Sequence, residues 1–217
     1  MDGEHAAQSL KQKFDACSSA HSEASRVRIH RAISWLARAQ RETEDADARF
    51  LFLWIAFNAA YAREFGFEES QRGQSVAFIE AVCALDAERR LHASLFSQFS
   101  GPVRTLIDNR FVFEPFWRAL RDHDASGRWE ATFAASKQRA TKAILAGETA
   151  VVLGVVFDRL YVLRNQLVHG GATWNSKVNR QQVRDGANLM GSLVPIVIGV
   201  MLEHPEAEFG EVAFPVV

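Results

Sequence analysis

Several absences narrow what this chain can be. It has two cysteines, Cys17 and Cys83, too few and too far apart for a disulfide framework or a zinc knuckle. Five prolines and thirteen glycines in 217 residues leave room for long uninterrupted helices. The net charge of −1 draws neither nucleic acid nor an anionic membrane to the molecule as a whole, so any such partner must be held by a local patch. The longest nearly apolar run, Leu189 to Leu202, falls short of the ~20 residues a bilayer requires and carries Pro195. The opening Met1-Asp2-Gly3-Glu4-His5 is polar and lacks the basic and apolar regions of a secretory signal. The expectation is a cytoplasmic protein with no membrane partner.

Familiar catalytic motifs are missing too. The chain contains no G-x-x-x-x-G-K-[ST], no G-x-G-x-x-G after a strand, no H-E-x-x-H and no G-x-S-x-G, which argues against the usual nucleotide hydrolases, zinc proteases and serine hydrolases. Seven histidines are scattered along the sequence, none with a second histidine or a carboxylate at metal-ligand spacing. No metal and no cofactor are therefore expected. The acidic clusters Glu42-Thr43-Glu44-Asp45 and Glu68-Glu69 read as solvated helix caps rather than catalytic carboxylates.

What is present is helical periodicity. An apolar fraction of 48% with 24% charged residues suits a chain with a well-buried core. The expectation is an all-α, multi-helix bundle forming a single helical domain over residues 1–217. Residues 1–22 read as a loose or short-helical lead-in, 26–204 as the helical core, and the end as a short extended tail. Ile29, Ile33 and Leu36 mark an amphipathic helix from about Arg26 to Glu42. Phe50 to Tyr61 is apolar all round and belongs at the centre of a bundle, with an N-cap carboxylate before it and Gly66 as a stop. Val76, Ile79 and Val82 suggest a third helix. Leu91, Leu95 and Phe99 suggest a fourth, ended by Gly101-Pro102. Pro115 is placed to start a helix, Asp122 to Gly127 form a loop, and Trp129 to Ile144 form a helix closed near Gly147. Two long elements follow, about Thr149 to Val168 and about Ser176 to His204.

The first of these carries the most informative stretch, Arg164-Asn165-Gln166-Leu167-Val168-His169-Gly170-Gly171. At ~100° per residue, Val152, Val156, Leu160, Leu163 and Leu167 make one apolar stripe. Asp158, Asn165 and His169 fall on the opposite side with Tyr161 beside them, and Arg164 sits at the rim. Asn165 and His169 are four apart and can touch. Gly170-Gly171 explains the helix end and places His169 in the last turn, where the helix dipole favours a cation. Imidazole is suited to moving protons at neutral pH, and an arginine has donors matched to phosphate oxygens. Together they make a credible phosphodiester site; the other reading has Arg164 paired with an acid and His169 capping its own helix. The spacing alone says little, since Arg118 and His123 repeat it beside a polar loop, without the asparagine and the glycines.

In its context, Arg164-Asn165-x-x-x-His169-Gly170 at the end of an apolar helix resembles the HEPN superfamily (higher eukaryotes and prokaryotes nucleotide-binding domain). Trp54 to Tyr61 and Arg164 to Ser176 look especially like its small bacterial Apea-like members. The resemblance spans about Arg26 to Leu202, with only Arg164 to Ser176 specific. It implies a helical bundle, a homodimer that brings two motifs together, and metal-independent RNA cleavage in defence (including phage defence) or toxin–antitoxin systems, with an antitoxin or other regulatory protein as partner. Arg164 and His169 are then the catalytic pair and Asn165 the polar residue following the arginine. The alternative it leaves open is a module without catalysis that binds RNA, nucleotide or a protein. Some members carry a tyrosine two residues after the histidine that a nucleotidyltransferase modifies; Gly171 occupies that position here.

Further candidates surround this motif. Asn58, in the most apolar helix, needs a hydrogen-bond partner; it either supports the motif region or, the reading preferred, bridges backbones. Trp174 offers a surface to stack on a base, although packing is the commoner role of such a tryptophan. Lys177, Arg180 and Arg184 are expected as one basic stripe on the last helix, capped by Asn175 or Ser176, which either guides RNA or is simply solvated.

Overall fold

A computed structural model describes residues 5–62, 71–177, 179–212 and 214. Ten α-helices account for most of them, and no β-strand occurs among the described residues. The elements are α1 (Ala6–Cys17), α2 (Glu23–Gln40), α3 (Ala46–Tyr61), α4 (Gln71–Leu85), α5 (Arg90–Ala93), α6 (Ser100–Asp108), α7 (Glu114–Arg121), α8 (Arg128–Ala146), α9 (Thr149–Val168) and α10 (Arg180–Glu203). The expected all-α architecture is what the chain adopts.

Two compact units divide the chain, one made of Met1–Leu91 with Val183–Val217 and the other of His92–Gln182. Both crossings fall inside helices, α5 and α10, so no change of composition and no Pro- or Gly-rich linker marks them.

In the first unit α2 packs on α3 and α1 on α2. Ser22 and Asp45 cap α2 and α3, each side chain accepting from the amide of the third residue of its helix, Ser25 at 3.2 Å and Ala48 at 3.0 Å. The expected cap carboxylate is thus Asp45. Helix α3 buries one side, with Phe50, Leu53, Ala56, Phe57 and Ala60 on it, and leaves Leu51, Phe52, Ile55 and Ala59 half-buried, so it is less enclosed than its all-apolar pattern suggests. Gly66 lies outside the described residues, and α3 ends earlier, at Tyr61. Of the two readings of the lead-in, the helical one holds: α1 is a regular 12-residue helix that buries Ala7, Leu10 and Phe14, and the Ala7 amide donates to Gln40 Oε1 at 3.2 Å. Much of the tail expected to be extended (213 and 215–217) lies outside the described residues; the chain just before it is held by Arg28, which donates to the Gly210 and Glu211 carbonyls at 2.9 and 2.7 Å. Arg31 donates to the Phe214 carbonyl at 2.6 Å.

Helix α10 spans 24 residues and contains Pro195 without being broken by it. By length and composition it could cross a membrane, but 67% of its apolar window is buried, which fits a core helix.

The second unit pairs α8 with α9 and α7 with α8, with α6 also against α9. Pro115 stands in the first turn of α7 and Gly147 closes α8 at φ 68°, both as expected. The fourth helix is not one helix. After α5 the chain makes a π-helical turn, Ser94–Gln98, and then starts α6, which contains Gly101 and Pro102 in its first turn. A proline there forfeits no helical hydrogen bond, so it opens this helix instead of ending the one before.

Candidate functional site

Helix α9 runs over the residues the periodicity predicts, with Val152, Val156, Leu160 and Leu163 fully buried. Leu167, at the helix end, is only half-buried. One residue on that stripe is unexpected. Arg159 follows Val156 by three and precedes Leu163 by four, which puts a cation on the core face, and it is 2% exposed. Its Nη2 donates to Ser136 Oγ at 3.0 Å, and its guanidinium lies 4.4 Å over Phe113 and 5.5 Å over Phe133. Aromatic faces and a hydroxyl thus replace part of its hydration. The signal was in the sequence, an arginine in phase with the apolar residues.

The end of α9 is shaped by its glycines. Gly170 adopts φ 70°, a conformation that favours a residue without Cβ. Its amide reaches the Leu167 carbonyl at 3.4 Å, the Ala172 amide reaches the Gln166 carbonyl at 2.9 Å, and the His169 amide closes the helix on Asn165 O at 3.0 Å. Gly171 serves a different purpose: a Cβ there would sit 3.3 Å from the Gln166 carbonyl oxygen. His169 is the C-cap residue, and its side chain is exposed.

Arg164 turns its guanidinium along the helix surface. Its Nη1 donates to Asn165 Oδ1 at 2.8 Å, and its Cζ lies 5.6 Å from the centre of the Tyr161 ring. This moves the cation from the rim of the apolar stripe onto the side occupied by Asn165. The helix thereby brings Arg164, Asn165 and Tyr161 together. Asp158, one turn before Tyr161 and about two before Asn165, is half-buried. Direct contact between Asn165 and His169, which the spacing permits, is not made; the Asn165 oxygen is taken by Arg164, and no hydrogen bond joins the two side chains among the described residues.

Gln166 is the residue that sequence reading passed over. Its Nε2 donates to the Phe111 carbonyl at 2.7 Å, and its Oε1 accepts from Asn179 Nδ2 at 3.3 Å. The end of α9 is therefore fastened both to a 3₁₀ turn (Arg110–Val112) and to the loop leading into α10. Nothing in periodicity announces such a role, because it depends on segments 13 and 55 residues away.

The expected basic stripe needs correction. Helix α10 begins at Arg180, not near Ser176, because Asn175 and Asn179 stand at φ 52° and 64°. Asparagine tolerates that left-handed conformation, but a right-handed helix cannot continue through it. Asn175 and Ser176 therefore do not stand at the N-cap position of α10, and Lys177 is an exposed loop residue off the helix. Arg180 and Arg184 keep their four-residue spacing on α10, with Arg184 exposed. Arg180 Nε donates to the Ser176 carbonyl at 3.2 Å. Trp174, for which packing was the commoner expectation, is 70% exposed. Asn58 lies on α3 in the other unit, and its Oδ1 is buried without a hydrogen-bond partner. Among the described residues, neither a partner for that oxygen nor the backbone bridge is found.

Chemically, the end of α9 offers a fixed cation, an amide held beside it, and a solvent-accessible imidazole. Those groups can bind a phosphodiester and move a proton. Compared with known proteins, the chain matches no family model, no curated protein and no solved structure.

Proposed function

We propose that this protein is a metal-independent endoribonuclease of HEPN type that acts as a homodimer, in a bacterial defence or toxin–antitoxin setting. The observation that carries the reading is the Arg164–Asn165 hydrogen bond at 2.8 Å, which turns the guanidinium onto the polar side of α9. His169, exposed at the helix end, is the general base that takes the proton from a ribose 2′-hydroxyl. The freed oxygen attacks the adjacent phosphorus, and the phosphorus–5′-oxygen bond breaks. Arg164 stabilises the charge that builds on the phosphoryl oxygens. Asn165, whose oxygen is engaged by Arg164, orients the guanidinium and keeps its amide donors for the substrate. The departing 5′-oxygen needs a proton, and the second motif of a dimer supplies the acid that one histidine cannot be at the same moment.

The test is cleavage of a defined RNA by the purified chain, beside Arg164→Ala and His169→Ala. Cleavage is expected to persist in EDTA and to leave a 2′,3′-cyclic phosphate and a 5′-hydroxyl. A substrate with a 2′-deoxyribose at the cut should resist, and both variants should lose at least a hundredfold in rate, as is usual when a general base (~10²–10⁴) or a charge-stabilising donor (~10²–10³) is removed. His123→Ala, the residue of the coincidental spacing, should cleave like the wild type. Strict dependence on magnesium, or full activity of either motif variant, would falsify this chemistry. Tight RNA binding with no cleavage by any form would instead leave a binding module.

A further inference from the structure

Three large apolar side chains stay in solvent on segments that Gln166 joins: Phe111 is 42% exposed, Val168 53% and Trp174 70%. Isolated surface apolar residues need no explanation, but several held by one polar hub do. Trp174 occupies the second position of a tight turn closed by the Ser176 amide on the Thr173 carbonyl at 3.1 Å, with Asn175 left-handed after it. The loop around that turn is tied down at both ends. Ala172 and Asn179 bond to Gln166, and Arg180 reaches back to the Ser176 carbonyl. The indole is thus presented to solvent from an anchored support, so little order is lost when something binds to it.

Phe111 is fixed in the same way. Its amide bonds to Asn109 Oδ1 at 2.8 Å, and its carbonyl accepts from both Gln166 Nε2 and Trp117 Nε1, at 2.7 and 2.8 Å. Each aromatic also comes with a cation in its own segment. The Arg110 guanidinium lies 5.0 Å over the Phe111 ring, and Lys177, three residues after Trp174, is exposed. A contact surface between proteins accepts arginine beside aromatic rings but is depleted of lysine, so Lys177 beside Trp174 is the charge that argues against one. Aromatic faces interleaved with cations are instead what a single strand of nucleic acid meets, bases on rings and phosphates on cations.

We propose that Trp174 and Phe111 are stacking platforms for unpaired nucleobases, so that the chain selects single-stranded RNA over duplex. A duplex keeps its bases stacked inside itself and cannot use such surfaces. This rests on the ribonuclease reading for the reaction that follows binding, and on the loop geometry for the binding itself.

The test uses the full chain carrying His169→Ala and fluorescence anisotropy with a labelled RNA of mixed sequence, single-stranded or annealed to its complement. The single strand is expected to bind more tightly. Trp174→Leu and Phe111→Leu should each weaken it about tenfold, the scale of one lost base stack, and leave duplex binding unchanged. Trp174→Tyr, which restores a ring, should recover most of the loss where leucine, apolar but unable to stack, does not. Circular dichroism melts of every variant show that the fold is intact. Equal affinity for both RNA forms, or single-strand binding untouched by Trp174→Leu, overturns the proposal. So does a Trp174→Leu variant that breaks a dimer in light scattering without altering RNA affinity, since the patch is then a contact between copies. Cleavage by chains with His169 intact separates the two readings. If the binding pattern holds and no RNA is cut, the ribonuclease reading fails alone. If RNA is cut and the leucine variants behave as the wild type, the platform fails alone.

Discussion

A guanidinium taken out of water has to find its hydrogen bonds inside the protein. Arg28, 1% exposed, finds them on main-chain carbonyls. Nη1 donates to Ala60 and Ala62 at the end of α3, and Nη2 to Gly210 and Glu211 in the tail. The last carbonyls of a helix lack intrahelical partners and carry its negative pole, so a cation is well placed there. Arg28→Ala takes the donor from four main-chain oxygens, of which that of Ala60 lies in a buried bond, and is expected to cost about 2 kcal/mol. Arg28→Lys should recover little, since an ammonium lacks the fork that spans two pairs of acceptors. Urea unfolding decides this, and a loss below ~1 kcal/mol would mean that water or the backbone replaces the guanidinium easily. Glu203 gives a residue-scale pH dependence. Its carboxyl is held below the usual glutamate range, first by hydrogen bonding to Arg90, with Oε1 at 2.9 Å from Nη1. With the folded value depressed, the unfolded chain binds the proton more readily. The bond's contribution is then fully present above the ordinary glutamate value of ~4.3 and is lost as pH falls through the depressed one. Glu203→Gln should therefore lower stability at neutral pH and flatten its acid-side decline. Unfolding midpoints from pH 3 to 7 measure it, and parallel curves would show that this pair is not coupled to folding.

At the scale of the element, α9 and α10 differ in how openly their ends are written. The end of α9 is set by local chemistry, a glycine free to adopt φ 70° with nothing within 4 Å of where a Cβ would go. Gly170→Ala should thus cost only the conformational penalty of an L-residue in that region, roughly 1–2 kcal/mol, and Gly170→Asn distinctly less. Chemical denaturation of the two variants checks the order; equal stability would show that the cap does not depend on that conformation. The start of α10 carries no such mark. A polar run from Asn175 to Arg180 is compatible with helix, and the left-handed Asn179 that delays it belongs to a loop whose Asn179 side chain is bonded to Gln166 on another element. The π-helical turn after α5 is equally unmarked, because Leu91, Leu95 and Phe99 keep a helical period across it.

For the whole molecule the proposed chemistry needs more than one chain. A single motif histidine has to be base at one moment while the leaving oxygen requires an acid, so two copies should meet with their Asn165–His169 faces near a two-fold axis. Light scattering at micromolar concentration is expected to report a dimer, and a monomer with full activity would refute the argument. A charge of −1 gives no long-range steering toward RNA. Under the proposed function, affinity is expected to depend on local groups such as Arg110 and Lys177, with Arg180, which also bonds the Ser176 carbonyl, contributing.

The sequence by itself determined that the chain is helical, where α3, α8 and α9 lie, which face of α9 is buried, and why α9 ends at His169. Each of these follows from local rules, the 3.6-residue period, a capping side chain or a glycine's freedom at positive φ. The motif residues were legible for the same reason: Arg164, Asn165 and His169 share one helix. Only the tertiary structure decided the rest. It paired Arg164 with Asn165 instead of joining Asn165 to His169, took Lys177 off the helix, left Trp174 in solvent, and divided the chain within α5 and α10. It also buried Arg28 and Arg159 on partners distant in sequence and made Gln166 the fastening between three segments. Such outcomes depend on which groups remain unpaired once the backbone has folded, and a buried donor or acceptor takes whatever partner the packing brings within reach. That is a property of contacts between distant residues, and a local pattern does not contain it.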